Sequence, residues 1–303
     1  MRPVLTVGSV AFDSLETPFG AASRIVGGAA TYFSLAASYF TGVRLVAVVG
    51  DDFGPEHLTV FEGRRIDLAG LQRVPGETFR WKGAYSADLA TRRSIYTHLN
   101  VFNDFRPRIP DPFRDSAFVF LANIHPALQI EVLGQVAAPD FVALDTMNYW
   151  IEETPDELRR VLRRVHVLVI NDEEARQLSG EQNLVRAARA IRRLGPERVV
   201  IKRGEHGVLM TRGDGFFAAP AMPLETVRDP TGAGDTFAGG FVGYLAAAGG
   251  FSDAVVTQAV IAGSTLASFT VEDFGVERLL RLRDGEVRSR FAEFSRLTHF
   301  DAL

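Results

Sequence analysis

Six short runs of apolar, largely β-branched residues recur along the 303-residue chain: Val4 to Gly8, Leu45 to Gly50, Phe118 to Ala122, Phe141 to Asp145, Val167 to Asn171 and Val199 to Lys202. Most are continuously apolar, which suits strands buried on both faces in the interior of a parallel sheet. Between them lie helical patterns at Ala29 to Phe40, at Pro155 to Arg164 with proline near the start, and at Asn183 to Leu194. In the last of these Leu184, Ala187, Ala188, Ile191 and Leu194 share one face. Strand and helix in alternation predict an α/β fold with helices on both faces of the sheet.

One region departs from this rhythm. From Thr78 to Phe102, "TFRWKGAYSADLATRRSIYTHLNVF" alternates with period two, placing Ile95, Thr97, Leu99 and Val101 on one side and Tyr96, His98, Asn100 and Phe102 on the other. It predicts a small antiparallel excursion over residues 78–102, with 13–24 as a second candidate segment. Both faces carry apolar or aromatic groups, so the excursion is expected to cover a site or to pair with a second subunit as a homodimer contact. The arginines beside its aromatics, in the group Arg80, Trp81, Tyr85, Arg92 and Arg93, are read as decorating a solvated hairpin. No repeat or linker divides the chain, and a single domain over residues 1–303 is expected.

Composition narrows the function classes. A formal net charge of −4 supplies no global field for nucleic acid or an anionic membrane, so neither is expected as a partner. The absence of cysteine removes disulfides, thiolate zinc sites and thiol nucleophiles, and fits a cytoplasmic protein. The N-terminus has no long apolar signal core, and the most apolar window, Thr236 to Phe251, is shorter than the roughly 20 residues of a membrane span.

The stretch Asp229 to Phe241, "DPTGAGDTFAGGF", sets three residues without bulk, Gly232, Ala233 and Gly234, before an acid and a helix of small apolar residues. Helix N-termini bind anions through unpartnered amides and the helix dipole, so these N–H groups can wrap a phosphoryl group. An acid beside a phosphate repels it, so Asp235 suits a proton acceptor for an incoming hydroxyl. An ordinary helix start would also use these residue types. The sequence has no G-x-x-x-x-G-K-[ST] and no complete G-x-G-x-x-G after the first strand, and its two "DFG" triplets lack the other protein-kinase signatures. Protein kinases, P-loop proteins and nicotinamide-dependent oxidoreductases are thereby disfavoured.

Taken with "VGSVAFD" near the start, "GGAATYFSLAA" at Gly27 to Ala37, "VVGDDFG" at Val48 to Gly54 and "NDEEARQLSG" at Asn171 to Gly180, the glycine block resembles the PfkB or ribokinase-like family of carbohydrate and nucleoside kinases. The blocks follow the family's order over almost the full length. The resemblance implies a three-layer α/β/α sandwich with a mostly parallel central sheet and a small β lid, and phosphoryl transfer from ATP with Mg2+. It implies that Asp235 is the base and that Gly232, Ala233 and Gly234 form the anion hole. Asn171 and Glu174 match an N-x-x-E block that organises magnesium through water; a capping box would satisfy the same residues. Asp13, Gly27 and Gly28 fall where the family holds substrate hydroxyls, and Lys202, Gly204, Gly207 and Thr231 on the nucleotide side. The region Ala259 to Ser268 is expected to border adenine, although helix packing explains its small residues equally.

Tyr32 departs from the pattern. Many sugar-specific relatives carry an asparagine there, and a tyrosine can stack, bond a polyol or fill the core. The resemblance therefore implies a kinase for a small polyhydroxylated substrate, a sugar first, with a nucleoside or a cyclitol such as inositol as alternatives. A non-catalytic nucleotide or metabolite sensor is the rival class, and Asp235 counts against it because a binding module needs no base.

Overall fold

The computed structural model describes residues 2–89 and 91–299, so Ala90 and the ends of the 1–303 span lie outside the described residues. Its main sheet has nine strands: β1 (Val4–Val7), β4 (Val43–Val49), β5 (Ile66–Arg73), β8 (Phe118–Leu121), β9 (Phe141–Asp145), β10 (Val167–Asn171), β11 (Arg198–Lys202), β12 (Val208–Arg212) and β13 (Gly215–Ala219). Their order is β13-β12-β11-β10-β9-β8-β1-β4-β5, parallel from β11 to β5, with β12 and β13 added antiparallel at one edge. The six apolar runs are its inner strands. Strands β5, β12 and β13 have no counterpart among them, because strands near a sheet edge are only partly buried and mix polar with apolar residues.

Side chains alternate across the sheet into two cores. Leu5, Val7, Val119, Leu121, Leu168 and Ile170 face one core, which contains Leu158 and Leu162 of helix Pro155–Leu162 and Ala188 and Ile191 of helix Leu184–Arg192. Val4, Phe118, Phe120, Val167 and Val169 face the other, which contains Phe33, Phe237, Phe241 and Val260 from helices Ala29–Ala37, Ala233–Ala248 and Asp253–Thr270. Each such side chain contributes ~1.5–3 kcal/mol when fully buried, so this three-layer core supplies most of the favourable free energy. The small residues of helix Ala233–Ala248 let it lie close beneath helix Ala29–Ala37: a side chain at Gly239 would collide with the Phe33 carbonyl. Among the described residues no helix is long and apolar enough to cross a membrane.

A second sheet of four strands, β2 (Ala11–Thr17), β3 (Gly20–Gly27), β6 (Arg80–Tyr85) and β7 (Arg92–His98), projects from the first. Its order is β3-β2-β6-β7. Strands β2 and β6 pair in parallel, joining two segments far apart in sequence. The alternation expected to continue to Phe102 stops at His98. Residues Asn100–Phe102 form a single 3-10 turn, and Phe102 stacks on Phe79 at 5.3 Å, drawing the chain back to the main core. Outward-facing Ile95 and Leu99 remain 40% and 41% exposed, so the expected cover over both faces is not complete within one chain.

Candidate active site

Three neighbouring parallel strands end in polar side chains at one edge of the sheet: β9 on Asp145, β10 on Asn171 and β11 on Lys202. Register sets them side by side, with Val169 opposite Asp145 and Asn171 opposite Lys202. Ligands of open α/β sheets bind beyond the carboxyl ends of the strands, near the point where strand order reverses. Here that point lies at β1, flanked by β4 and β8.

Lys202, one of only two lysines in the chain, places its Nζ 3.7 Å from Asp145 Oδ2. The same Nζ is 2.9 Å from where a Cβ on Gly234 would sit, which puts the ammonium against the glycine turn. Burial disfavours the ammonium, but Asp145, Glu174 and Asp235 outweigh burial and hold Lys202 above its ordinary range. One cation serves three carboxylates, so the acids are hard to ionise together. Burial pushes Asp145 up against the pull of Lys202. Burial, reinforced by Asp145, pushes Asp235 up to about 7. Glu174 also rises to about 7, again mainly through burial, with Lys202 opposing. The Lys202 amine, expected on the nucleotide side, lies among the acids because β11 ends beside β10 and near β9.

Asn171 and Glu174 form the capping box of helix Asp172–Ser179. The Asn171 side chain accepts from the Glu174 amide at 2.7 Å, and Glu174 Oε2 accepts from the Asn171 amide at 3.0 Å. That structural role leaves Glu174 Oε1 free of the cap, on a carboxylate whose charge is felt at Lys202.

The glycine turn precedes the 16-residue helix Ala233–Ala248. Gly232 is its N-cap, in the left-handed region at φ 73°, where a side chain would also collide with the Tyr32 ring, so only glycine fits. Ala233 and Gly234 are the first two helical residues, whose amides have no partner within the helix. Asp235 occupies the first turn, half-buried. Asp229 braces the turn: its carboxylate accepts from the Thr231 amide and from the Gly275 amide, both at 2.9 Å.

Asp13 adds a buried carboxylate from the second sheet. It is 4% exposed on β2, and its carboxylate occupies the space a side chain at Gly27 would need. Burial raises its pKa to about 7, offset by the Gly28 amide and increased by Asp229 and Asp235. Gly28 takes φ 92° and caps helix Ala29–Ala37. Gly27→Ala is expected to displace the Asp13 carboxylate and raise the acceptor KM roughly tenfold or more, the scale of one lost charged hydrogen bond, with the ATP KM little changed. Steady-state kinetics on both substrates checks this, and an unaltered acceptor KM would contradict it.

Tyr32 fills the core, 1% exposed, as an aromatic on a buried helix face does. Its hydroxyl nevertheless has no hydrogen-bond partner among the described residues. Burial, with Asp13, Asp229 and Asp235 nearby, raises the phenol well above its usual range and keeps it neutral. On the lid, the Tyr85 hydroxyl and Thr231 Oγ1 share a 2.8 Å hydrogen bond that ties β6 to the glycine turn. Arg92, paired directly with Tyr85 across β6 and β7, stacks its guanidinium 5.3 Å above the Trp81 ring. Arg92 is exposed on this edge strand, in line with the solvated-hairpin expectation, and its charge lowers the pKa values of Asp13, Glu174 and Asp235 against the larger effect of burial.

The structure thus gathers Asp13, Gly27, Gly28, Tyr32, Asn171, Glu174, Lys202, Thr231, Gly232, Ala233, Gly234 and Asp235 around one cleft. Gly204 and Gly207 lie in the turn beyond β11, where a side chain at Gly207 would collide with the Ala219 carbonyl, so packing against β13 accounts for that glycine. In the Ala259 to Ser268 stretch, Gly263 packs against Phe237, and Ser264 is buried with its hydroxyl unpartnered. Sequence reasoning missed Asp145 and Asp229. A carboxylate ending a fully apolar run was a usable signal for Asp145.

A model of the pfkB family of carbohydrate kinases matches residues 5–281. The chain is 32% identical over 251 residues, 80% of its length, to a cytidine kinase of Thermococcus kodakarensis, covering 89% of that protein. It is 23% identical over 299 residues to an aminoimidazole riboside kinase of Salmonella typhimurium, covering 94% of this chain and 93% of that one. In fold it is similar to an Escherichia coli protein described as a ribokinase II and solved with ATP and Mg2+, with a TM-score of 0.80 at 18% identity over 97% of this chain and 100% of the other. The chain belongs to the pfkB family of carbohydrate kinases.

Proposed function

We propose that this pfkB-family kinase transfers the γ-phosphoryl group of ATP to a ribose hydroxyl of a nucleoside, with Asp235 as general base. The observation that carries the reading is a carboxylate at about pKa 7 in the first turn of helix Ala233–Ala248, beside the amides that open the helix and the buried Lys202 amine. A base poised near the working pH is largely deprotonated yet still able to accept a proton. As the acceptor oxygen bonds to the γ-phosphorus and the bridge to the β-phosphate breaks, the hydroxyl proton passes to Asp235. Amides at Gly232 to Gly234 and the Lys202 ammonium receive the charge that develops on the phosphoryl oxygens. ADP leaves with the bridging oxygen.

Magnesium, when bound with ATP, neutralises charge between the β- and γ-phosphates. No set of three acidic or histidine side chains converges among the described residues as a direct cage, so Asn171 and Glu174 would hold the ion through water and phosphate.

Sequence alone favoured a sugar. The nucleoside reading is supported by the names of the two relatives and by the buried Asp13 carboxylate, a group suited to accept hydrogen bonds from vicinal hydroxyls. The lid, formed by strands within residues 11–27 and 80–98, closes over the acceptor and excludes water. The test is competition: an equimolar mixture of nucleosides, neutral sugars, acidic sugars and inositols is incubated with MgATP and the products are weighed by mass spectrometry. A nucleoside monophosphate as the main product is expected; a sugar or inositol phosphate in its place would sink the nucleoside reading.

A further inference from the structure

We infer that the chain carries a second anion site, remote from the cleft, in which Arg189, Arg192 and Arg193 hold a small phosphate-bearing anion. The inference goes beyond the kinase reaction and depends on neither the acceptor nor the base.

The site is a cavity of about 500 Å³ lined by Arg189, Arg192, Arg193, Pro196 and Asp214, a size within the roughly 300–1,000 Å³ of small-molecule sites. Helix Leu184–Arg192 supplies Arg189 and Arg192, and its C-cap residue is Arg193. Positions three and four apart are neighbours on a helix surface, so Arg189 shares a face with both of the others. Asp214 comes from the turn between β12 and β13, and Pro196 is buried. Strand β11 starts at Arg198, two residues past Pro196, and ends on Lys202, so the cavity and the cleft lie at opposite ends of one strand.

Arginines often end helices because they offset the partial negative charge of the last carbonyls. Here the backbone already serves those carbonyls: the amides of Arg193, Leu194 and Gly195 donate to the oxygens of Ala190, Ile191 and Arg192 at 3.2, 2.9 and 3.1 Å. The arginine side chains are steadied by neutral groups instead. Arg192 donates from Nη1 to the Gly213 carbonyl at 2.8 Å, and the Arg189 guanidinium lies 5.7 Å from the Phe216 ring centre. None of the three forms an ion pair among the described residues, whereas nearby Arg198 and Arg212 are both taken up by Asp253. Three positive charges thus meet one lining acid, Asp214, in a chain whose net charge is −4. A second basic pair adds to the field. A side chain at Gly195 would come within 2.7 Å of the Arg163 backbone, which sets Arg163 and Arg164, past the end of helix Pro155–Leu162, against the same turn.

Guanidinium forks bond phosphate oxygens two at a time, and forks held by a carbonyl and a ring keep their full charge for a ligand. A phosphate group has enough oxygens to engage more than one fork, which chloride has not.

The test is hydrogen exchange on the full chain with sodium tripolyphosphate, with a nucleoside monophosphate, and with sodium chloride at matched ionic strength, for wild type and for Arg189→Gln/Arg193→Gln. Slower exchange over residues 189–197 and 212–216 is expected with a phosphate probe and not with chloride; whichever probe acts at lower concentration identifies the source of the phosphate. In the double variant the concentration giving half protection there should rise roughly 10²-fold, about tenfold for each charge-assisted contact removed. Protection at residues 232–235 and turnover should stay at wild-type values. Arg193 is exposed, so Arg193→Gln alone, with a shift of roughly tenfold expected, repeats the test should the double variant melt early. No protection over residues 189–197 in wild type, protection that chloride reproduces, or a half-protection concentration unchanged in the variants would overturn the inference.

Discussion

Asp235→Asn is expected to lower kcat by about 10²-fold or more, the scale of a general base, and at the same time to raise the melting temperature at pH 8. Both effects follow from one carboxylate. Burial and Asp145 hold it at about 7 in the folded chain, against about 3.9 when unfolded. The folded state therefore binds the extra proton between those values, and the stability it confers is complete below about pH 4 and is lost as pH rises through about 7. At pH 8 the ionised Asp235 opposes folding, and asparagine removes that charge without removing its volume. Each 1 kcal/mol recovered corresponds to roughly 2–4 °C for a chain of this order of size. At pH 5 the gain should shrink, since the wild-type acid is already protonated. Turnover assays with melting curves at pH 5 and pH 8 check the pair; near-normal turnover, or an equal stability gain at both values, would contradict the assignment.

Lys202→Met is expected to be as damaging to activity and opposite in its effect on stability. Its Nζ lies 3.7 Å from Asp145 and against Gly234, among three carboxylates. In the proposed mechanism the amine is a donor to the phosphoryl group, and its removal is expected to cost about 10²–10³ in kcat. It also leaves Asp145, Glu174 and Asp235 facing one another unneutralised. Breaking a buried pair by deleting one partner costs about 3–5 kcal/mol when the stranded charge stays ionised. Here the acids can protonate instead, so the destabilisation should be large at pH 8 and much smaller near pH 5. Lysine lowers the Asp235 pKa, so its loss also moves the acid limb of the rate profile to higher pH. Equal melting temperatures for Lys202→Met and wild type at pH 8 would remove Lys202 from the cluster.

Local pattern and tertiary pairing divide what could be read from the sequence. The inner strands β1, β4, β8, β9, β10 and β11 declare themselves because burial on both faces demands continuous apolar runs. The glycine turn before Asp235 was legible because a left-handed N-cap packed against the Tyr32 ring needs a residue without a side chain. What escaped depends on partners distant in sequence. The pairing of β2 with β6 joins Phe12 to Arg80, and no periodicity within either segment announces it. Asp145 looked like the polar end of a core strand, and only the alignment of β9 with β10 and β11 reveals three side chains ending together. Asn171 and Glu174 show why a motif can be read two ways at once: the capping box orients the helix and, in doing so, holds Glu174 beside Lys202.

The central claim is that a carboxylate poised near neutrality at the start of helix Ala233–Ala248 accepts the proton from the acceptor hydroxyl. Its most direct test is the pH dependence of kcat/KM for the acceptor at saturating MgATP, in wild type and in Asp235→Asn. The expected result is a wild-type rate that falls as pH drops below about 7, where the base becomes protonated, and a residual Asp235→Asn rate lying about 10²-fold or more below the wild-type plateau. A wild-type profile flat down to pH 5, or an Asp235→Asn profile superimposed on it, would contradict the account.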